Sequence, residues 1–260
     1  MYHDQQIGMQ LRDWRRRRRL SQLDLALEAE LSARHLSFVE SGRSRPSRDT
    51  ILRLATALDV PLRSRNALLL AGGYAPVFPE RLLETTEETR AVVQQVLDCH
   101  LPFPSLAIDR HWNLVANNAA VPPLLSEVAP FLLQAPVNVL RLSLHPQGLA
   151  PRIGNLAEWK HHLVARLQHQ FAQSGDPVLK QLREELKGYP APASRTVAPA
   201  PASLIATPLK LETAADTLDL LSTTTVFGTP VEVTLSELAI ETFFPANAST
   251  SDRLRALQVA

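Results

Sequence analysis

The chain has 260 residues, of which 45% are hydrophobic and 20% charged, and its mean hydropathy of −0.06 is typical of a soluble globular protein. No apolar run approaches the roughly 18 residues needed to span a bilayer, and the N-terminus lacks the apolar segment of a signal peptide. The single cysteine, Cys99, excludes a disulfide framework and a zinc cluster of thiolates. We therefore expect a cytoplasmic protein that does not bind membranes.

The net charge of +1 is unevenly distributed along the chain. Residues 1–80 hold 13 arginines against 9 acidic residues, whereas residues 81–260 hold 17 acidic residues against 14 basic ones. This asymmetry predicts that only the first part of the chain meets a polyanion. It also suggests two domains, which we place at residues 1–80 and 81–260.

Five short helices are predicted in the first domain. The first covers residues 5–19, and Ser21, Ser32 and Ser47 are the predicted N-caps of the next three. The fifth begins at Pro61 and ends before Gly72. Short helices with tight connections predict a compact all-α bundle.

Five consecutive arginines, Arg15 to Arg19, end the first helix. Such a run forms either a solvated face that repels itself or an edge that faces phosphates, and the pattern alone does not decide between the two. We assign Arg17 to phosphate contact.

The second and third helices, joined by a short turn, form a predicted helix-turn-helix, whose third helix enters the major groove of DNA. Arg34 can donate two hydrogen bonds to guanine, and Ala33 and Phe38 can contact a thymine methyl group. The predicted groove-facing set is Ser32, Ala33, Arg34, His35 and Phe38. Gln22, Arg43, Arg45 and Arg48 are predicted to contact phosphates.

Each of these assignments has a structural alternative. Phe38 can belong to the core, His35 can be an ordinary solvated residue, and Arg34 can pair with Glu30. Glu40 we interpret as structural, holding an arginine of the bundle.

The segment LSQLDLALEAELSARHLSFVESGRSRPSRDTILRLATALDVPLRSRNALLLAGGYAP resembles the helix-turn-helix domains of the xenobiotic-response-element (XRE, Cro/C1-type) regulators. Within that family, RHLSFVESGRSRPSR and RNALLLAGGYAP resemble the branch that carries an MmyB-like ligand-binding domain. The resemblance covers residues 7–78 and implies a sequence-specific, DNA-binding transcription factor.

The sequence of the second domain predicts two strands, several helices and then three strands. The predicted strands are Leu106–Asp109, Trp112–Ala116, Leu204–Glu212, Thr217–Phe227 and Val233–Phe243, and the predicted helices are Glu87–Cys99, a short one up to about Ser126, Asn155–Ser174, Asp176–Gly188 and Ser249–Leu257. The Pro/Ala-rich segment at residues 189–203 is predicted as an extended loop. The fold class is therefore α+β, with an all-α five-helix bundle followed by a PAS-like, antiparallel five-stranded sheet that has helices on one face.

Three segments of this domain resemble the MmyB-like domain: RHWNLVANNAA, PVNVLRLSLHPQGLAPRIGNLAEW and LLSTTTVFGTPVEVTLSELAIETFFPA. The resemblance covers roughly residues 91–257 and implies a small apolar, fatty-acid-like ligand held between sheet and helices. No other cofactor is expected.

The candidate ligand contacts are Trp112, Asn138, Arg141, His145 and Trp159, with Arg141 able to hold a carboxylate. The alternatives are that the two tryptophans anchor the core and that His145 is a turn residue.

Two rival functions remain open at this point. An enzyme is disfavoured, because the chain carries no GxSxG, P-loop, GxGxxG or HExxH motif, and we name no catalytic residue. His162 and His169 lie seven residues apart on one predicted helix, but no third ligand is evident, so no metal site is predicted. The second rival is an interaction protein that does not bind DNA, which the excess of arginines over acidic residues at positions 12–48, 10 against 5, disfavours. Within the regulator interpretation, the alternative to a ligand-binding second domain is one that is purely structural and dimerising. With or without a ligand, we expect the regulator to be a homodimer that reads double-stranded DNA as a pseudo-palindrome.

Overall fold

The structure is a computed structural model that describes residues 2–80, 87–192, 207–214, 216–227 and 232–257. The chain divides into two compact units, of which the first includes residues 2–80 and the second includes residues 87–171 and 237–257. Most of the predicted Pro/Ala-rich loop, from residue 193 on, lies outside the described residues. None of the helices in the described ranges is both long and apolar enough to cross a membrane.

The first unit is a bundle of five helices, as predicted. They are α1 (Tyr2–Arg17), α2 (Gln22–Glu28), α3 (Ala33–Glu40), α4 (Arg48–Ala57) and α5 (Leu62–Ala71). Their apolar stripes meet in one core, in which Leu11, Leu36 and Leu54 are fully buried. Burial of these stripes holds the short helices together, since isolated helices of this length are marginal in water.

Serine caps begin three of these helices. The hydroxyl oxygens of Ser21, Ser32 and Ser47 each accept a hydrogen bond, at 3.1 Å, from the amide three residues ahead. The predicted N-caps are therefore confirmed. Between α2 and α3 the chain reverses at Glu30, whose φ of 54° lies in the left-handed region. This turn sets α3 at an angle to α2.

The second unit is built on a five-stranded antiparallel sheet with the order β2-β1-β5-β4-β3. The strands are β1 (Ser105–Ile108), β2 (Leu114–Asn117), β3 (Thr207–Glu212), β4 (Thr217–Val226) and β5 (Ala239–Pro245). The central strand β5 pairs with β1 on one side and with β4 on the other. The α+β class and the antiparallel sheet are confirmed.

Helices cover this sheet. They are α6 (Glu87–Asp98), α7 (Val139–Leu144), α8 (Leu156–Ser174), α9 (Pro177–Gly188) and α11 (Ala248–Leu257), with 3-10 turns at Pro122–Leu125, Pro130–Leu133 and Ala150–Arg152. A one-turn helix, α10 (Val233–Ser236), precedes β5 in the chain but belongs to the first compact unit. The main core joins α7, α8 and α9 to one face of the sheet. The prediction that all helices lie on one face of the sheet is wrong, because α6 packs on the other face. Its Val93 and Leu97 cluster with Ala107 and Ile240, which alternate with the residues that face the main core.

Two predicted strand boundaries were wrong. Residues 233–236 form α10 instead of the start of a strand, because pairing of β5 with both neighbours begins only at Ala239. Trp112 was predicted to open a strand but lies in the turn between β1 and β2, with a φ of 67°. That turn forms because Asp109 Oδ1 accepts hydrogen bonds from the amides of His111 and Asn113, both at 2.8 Å.

Two short segments also differ from the expectation. The predicted helix before Ser126 is a 3-10 turn that begins with two prolines, which have no amide proton to donate. Helix α7 was not predicted, although Asn138 caps it by accepting from the amide of Arg141 at 3.2 Å. Its six residues are too few to show a helical period.

Candidate DNA interface and ligand site

Helix α3 has one face in the core and one face open to solvent. Leu36, Val39 and Glu40 are buried, whereas Arg34 is exposed and His35 is half-buried. The inward face packs against α1 and α2. The outward face, at the N-terminal half of α3, is thus free to meet a partner that lies outside the bundle.

A buried carboxylate fixes the position of α3. Glu40 Oε1 accepts from Arg15 Nε at 2.6 Å, and Glu40 Oε2 accepts from Arg15 Nη2 and from Gln22 Nε2, both at 2.8 Å. Arg12 Nη2 donates to the backbone oxygen of Glu40 at 3.1 Å. Burial alone would raise the pKa of Glu40, but the hydrogen bonds from Arg15 and Gln22 outweigh it and hold that pKa below its usual value. The interpretation of Glu40 as structural is confirmed.

Four of the five predicted groove-facing residues lie at the N-terminal end of α3, and Phe38 lies one turn after Arg34. Ser32 is the N-cap, Arg34 is exposed, and the guanidinium carbon of Arg34 lies 5.4 Å from the centroid of the Phe38 ring. Phe38 is half-buried and is not part of the core cluster. In the described part of the chain Arg34 forms no ion pair, so its pairing with Glu30 does not occur. Ala33 and His35 are both half-buried.

The residues predicted to contact phosphates differ in whether their side chains are exposed or bonded within the bundle. Arg43 and Arg48 are exposed. Arg45 is exposed as a residue, but its Nη2 donates to the backbone oxygen of Gly72 at 3.0 Å. Gln22 reaches α3 through Glu40 and therefore braces it. Arg17 is exposed, with its guanidinium carbon 4.8 Å from the centroid of the Trp14 ring.

The arginine run is divided between two roles. Arg15 binds Glu40, and Arg18 donates to the backbone oxygens of Leu58 and Asp59 at 2.8 and 2.6 Å. Arg16, Arg17 and Arg19 are exposed. The run is therefore neither a wholly solvated face nor a continuous edge, because two of its five members hold the bundle together.

The second unit contains a partly open, apolar cavity of about 100 Å³. It lies between the sheet and helices α7 and α8. The wall is formed mainly by large apolar side chains, among them Leu106, Leu140, Leu163, Leu209, Leu220 and Phe243. Among the described residues, the polar side chains in this wall are those of Ser143 and Glu241, besides the indole groups of Trp112 and Trp159.

The two tryptophans lie in this wall and are also core residues, with 2% and 4% exposure for Trp112 and Trp159. Each indole N–H is satisfied within the protein. Trp112 Nε1 donates to Gln170 Oε1 at 2.8 Å, and Trp159 Nε1 donates to Ser143 Oγ at 2.9 Å. Both residues can contact a ligand only through their ring faces and edges.

The three other candidate ligand residues lie outside the cavity wall. Asn138 caps α7 and donates to the backbone oxygen of His111 at 2.8 Å. Arg141 donates to both carboxylate oxygens of Glu185, each at 2.8 Å. The His145 ring packs edge-on against Tyr189, with their centroids 5.3 Å apart. Asn138 thus lies beside the backbone of Trp112, but none of the three residues lines the cavity with the tryptophans.

Arg141 belongs to a small polar network on the surface of α7 and α9. Tyr189 Oη donates to Glu185 Oε1 at 2.7 Å. Burial, together with this hydrogen bond to a carboxylate, raises the pKa of Tyr189 to about 12. The hydrogen bonds from Arg141, partly opposed by burial, lower the pKa of Glu185. The guanidinium is therefore already occupied by an ionised partner.

Glu241, which the sequence did not indicate as a site residue, is 4% exposed and lines the cavity. Its Oε1 accepts from Arg166 Nη2 at 2.7 Å and from Thr224 Oγ1 at 2.9 Å. The available signal was one acid in the mainly apolar strand AIETFFP, where alternation gives it the same face as Ala239 and Phe243. No group of three or more His, Cys, Asp and Glu side chains within the described ranges is arranged to hold a metal ion.

Comparison with known families gives two matches along the chain. Residues 89–257 match the MmyB-like transcription regulator ligand binding domain, and residues 11–64 match a helix-turn-helix model. Over 89 residues the chain is 36% identical to the uncharacterized HTH-type transcriptional regulator RghRB of Bacillus subtilis (strain 168). This aligned segment covers 34% of the present chain and 62% of RghRB. A second aligned segment is 35% identical to the restriction-modification controller protein C.AhdI from Aeromonas hydrophila; it covers 25% of the present chain and 98% of the C.AhdI structure, with a TM-score of 0.24.

Proposed function

Since this chain belongs to the MmyB-like transcription regulators and its first unit carries a DNA-binding helix-turn-helix, we propose that it is a sequence-specific regulator that works as a homodimer in the cytoplasm. We further propose that its second unit is a PAS-like sensor of a small apolar, fatty-acid-like ligand.

Sequence-specific reading of DNA rests on one observation above all, the exposed Arg34 at the outer end of a helix whose other face is locked into the bundle. An arginine in that position can donate two parallel hydrogen bonds to guanine O6 and N7 in the major groove. Arg43 and Arg48, which are also exposed, follow α3 in the chain and supply charge for phosphates. A homodimer would set two such helices about 34 Å apart, one helical turn of DNA.

The ligand proposal rests on the cavity in the second unit. Its wall is mainly apolar on both the sheet side and the helix side, as a site for an aliphatic chain requires. Its volume of about 100 Å³ is smaller than the roughly 150 Å³ of a cavity that admits benzene. A short aliphatic segment fits as the side chains stand, and a longer ligand requires some of the wall to move.

A purely structural second unit is the alternative that the small volume favours. In that case Trp112 and Trp159 are only core anchors, and the cavity is an unfilled gap. The two versions differ in one respect that can be measured directly, which is whether the folded protein carries or accepts an apolar molecule. Neither version includes an enzymatic activity.

A ligand changes DNA binding only if it has different affinities for the two states of the protein. The test is native mass spectrometry of the purified protein, followed by DNA-binding titrations before and after removal of any bound molecule. We expect a dimer mass with an added small-molecule mass, and a shifted DNA affinity after its removal. A ligand-free protein that accepts no aliphatic probe would contradict the sensor, and an unchanged DNA affinity would contradict the switch alone.

A further inference from the structure

The 3-10 turn at Pro122–Leu125 is a thin part of the cavity wall, and this inference rests on the ligand-binding function proposed for that cavity. Leu124 and Leu125 line the cavity. The two prolines of the same turn, Pro122 and Pro123, are exposed to solvent. On this side, therefore, a single turn of chain lies between the cavity and water.

Few hydrogen bonds hold this turn in place. Its two prolines have no amide proton to donate, and the amide of Leu124 donates to the backbone oxygen of Val121, within the same segment, at 3.0 Å. In the described parts of the chain, one hydrogen bond reaches the turn from outside residues 118–128, and it runs from Arg152 Nη1 to the backbone oxygen of Leu124 at 3.1 Å. The strands of the wall, in contrast, pair with their neighbours along their length.

The chain is fixed on both sides of the turn. Asn118 is fully buried, and its Nδ2 donates to the backbone oxygen of Phe103 at 2.9 Å. The amide of Ala129 donates to the backbone oxygen of Gln147 at 3.0 Å. The turn can thus move outward between two anchored ends once its bond to Arg152 is released.

Arg152 is itself attached to the sheet. Its Nε donates to the backbone oxygen of Glu212, the last residue of β3, at 2.9 Å. Two residues later, the amide of Gly154 donates to the backbone oxygen of Lys210, also at 2.9 Å. The pair with Glu127 is looser, at 3.8 Å, and involves a side chain that is 64% exposed, so it contributes little. The guanidinium therefore joins a fixed strand to the turn through two backbone oxygens.

We propose that the turn at Pro122–Leu125 is the gate through which an aliphatic ligand enters the cavity, and that Arg152 is its latch. Release of Nη1 from the Leu124 oxygen lets the turn swing outward, and the same bond closes it over the ligand. The latch is a positioning residue, because it acts on the wall and is not part of the cavity lining. Its loss changes how often the gate opens and leaves the contacts of a bound ligand intact.

The test is stopped-flow mixing of the full chain with octanoate, followed by tryptophan fluorescence, since Trp112 and Trp159 line the cavity. In Arg152→Ala we expect the association and dissociation rate constants both to rise at least about fivefold, because one hydrogen bond contributes a factor of this order to an opening equilibrium. The dissociation constant should change by less than about threefold, since the two rate constants change together. A lowered Tm with an unchanged association rate constant would show a merely structural role and overturn the latch.

Arg253→Ala is the matched control. Arg253 Nη1 also donates to a backbone oxygen, that of Thr217 at 2.7 Å, but neither residue belongs to the cavity wall. This variant is expected to keep the wild-type rate constants. Equal acceleration in both variants would contradict a specific latch at Arg152.

Should Arg152→Ala not fold, hydrogen exchange of the wild type decides. The amide of Leu124 is expected to exchange faster than that of Leu142, which lies in the wall on α7, and to slow when octanoate is bound. Equal exchange of the two amides would overturn the gate while leaving ligand binding in place. A folded wild-type protein that binds no octanoate overturns the ligand-binding function together with this inference.

Discussion

Arg15 at the end of α1 and Glu40 at the end of α3 form a two-point ion pair, with Nε–Oε1 at 2.6 Å and Nη2–Oε2 at 2.8 Å. The Glu40 side chain has 0% exposure and that of Arg15 has 12%. The pair therefore joins the helix that we expect to enter DNA to the helix that carries the arginine run. Removal of Glu40 alone leaves the largely buried guanidinium of Arg15 without its carboxylate partner.

Replacement of Glu40 by alanine is expected to lower the free energy of unfolding of the first unit by about 3 kcal/mol, since loss of one partner of a buried pair costs about 3–5 kcal/mol. The measurement is urea unfolding followed by circular dichroism. The matched control is Asp49→Ala in the same unit, which breaks an exposed pair with Arg53 and is expected to cost less than about 1 kcal/mol. Similar losses in the two variants would contradict the structural role of Glu40.

The same pair gives the first unit an acid-sensitive contribution to stability. The folded-state pKa of Glu40 is lowered, so the contribution is complete above the unfolded-state value of about 4.3 and is lost as the pH falls through the folded-state pKa. Unfolding free energies of the wild type and of Glu40→Gln, measured between about pH 7 and pH 3, should therefore converge in acid. A gap between the two that stays constant over this range would show that Glu40 does not titrate with folding.

Arg34→Ala is expected to lose about 1–3 kcal/mol at one base position of the operator and to relax the preference there. Arg17→Ala is expected to weaken binding to all sequences alike and to flatten its salt dependence, since Arg17 would contact only phosphate. The measurement is binding to a set of single-base operator variants at several salt concentrations. Equal loss of specificity in both variants would contradict this division of roles.

Arg141→Ala tests whether that residue anchors the ligand, as the sequence suggested. Its guanidinium binds both oxygens of Glu185 and lies outside the cavity wall, so we expect the affinity for octanoate to change by less than about twofold, within a few tenths of a kcal/mol. Leu106→Trp, which places a larger side chain in the wall, is expected to abolish binding. Isothermal titration distinguishes the two. A loss of affinity in Arg141→Ala comparable to that in Leu106→Trp would restore Arg141 as an anchor.

The parts of the fold that the sequence predicted depend on local chemistry. The caps at Ser21, Ser32 and Ser47 involve amides only three residues away, so a short pattern contains both partners. The strand β4 was predicted nearly to its ends, because it is rich in β-branched residues. Helix α10 was missed, since the strand pattern before Ala239 gives no sign that neighbouring strands stop pairing there.

The side-chain contacts at the DNA interface and in the cavity were harder to predict from the sequence than the helices and strands. The exposed end of α3 could be predicted, because its apolar period leaves Arg34 outside. The partners of Glu40 lie 25 and 18 residues away, and Arg166 lies 75 residues from Glu241. No local pattern records such contacts, so a glutamate inside the cavity could not be distinguished from one on a solvated strand. For the same reason the pairing of Arg141 with Glu185, 44 residues away, could not be predicted.

Selection of bound fragments from a genomic library at modest ionic strength tests the central claim most directly, which is that α3 reads base sequence through its exposed end. The wild type should retain a small set of fragments that share a pseudo-palindrome with half-sites about one helical turn apart, and Arg34→Ala should lose that enrichment while it still binds DNA. A folded wild-type protein that enriches no sequence, or an Arg34→Ala variant that enriches the same fragments as strongly, would contradict the account.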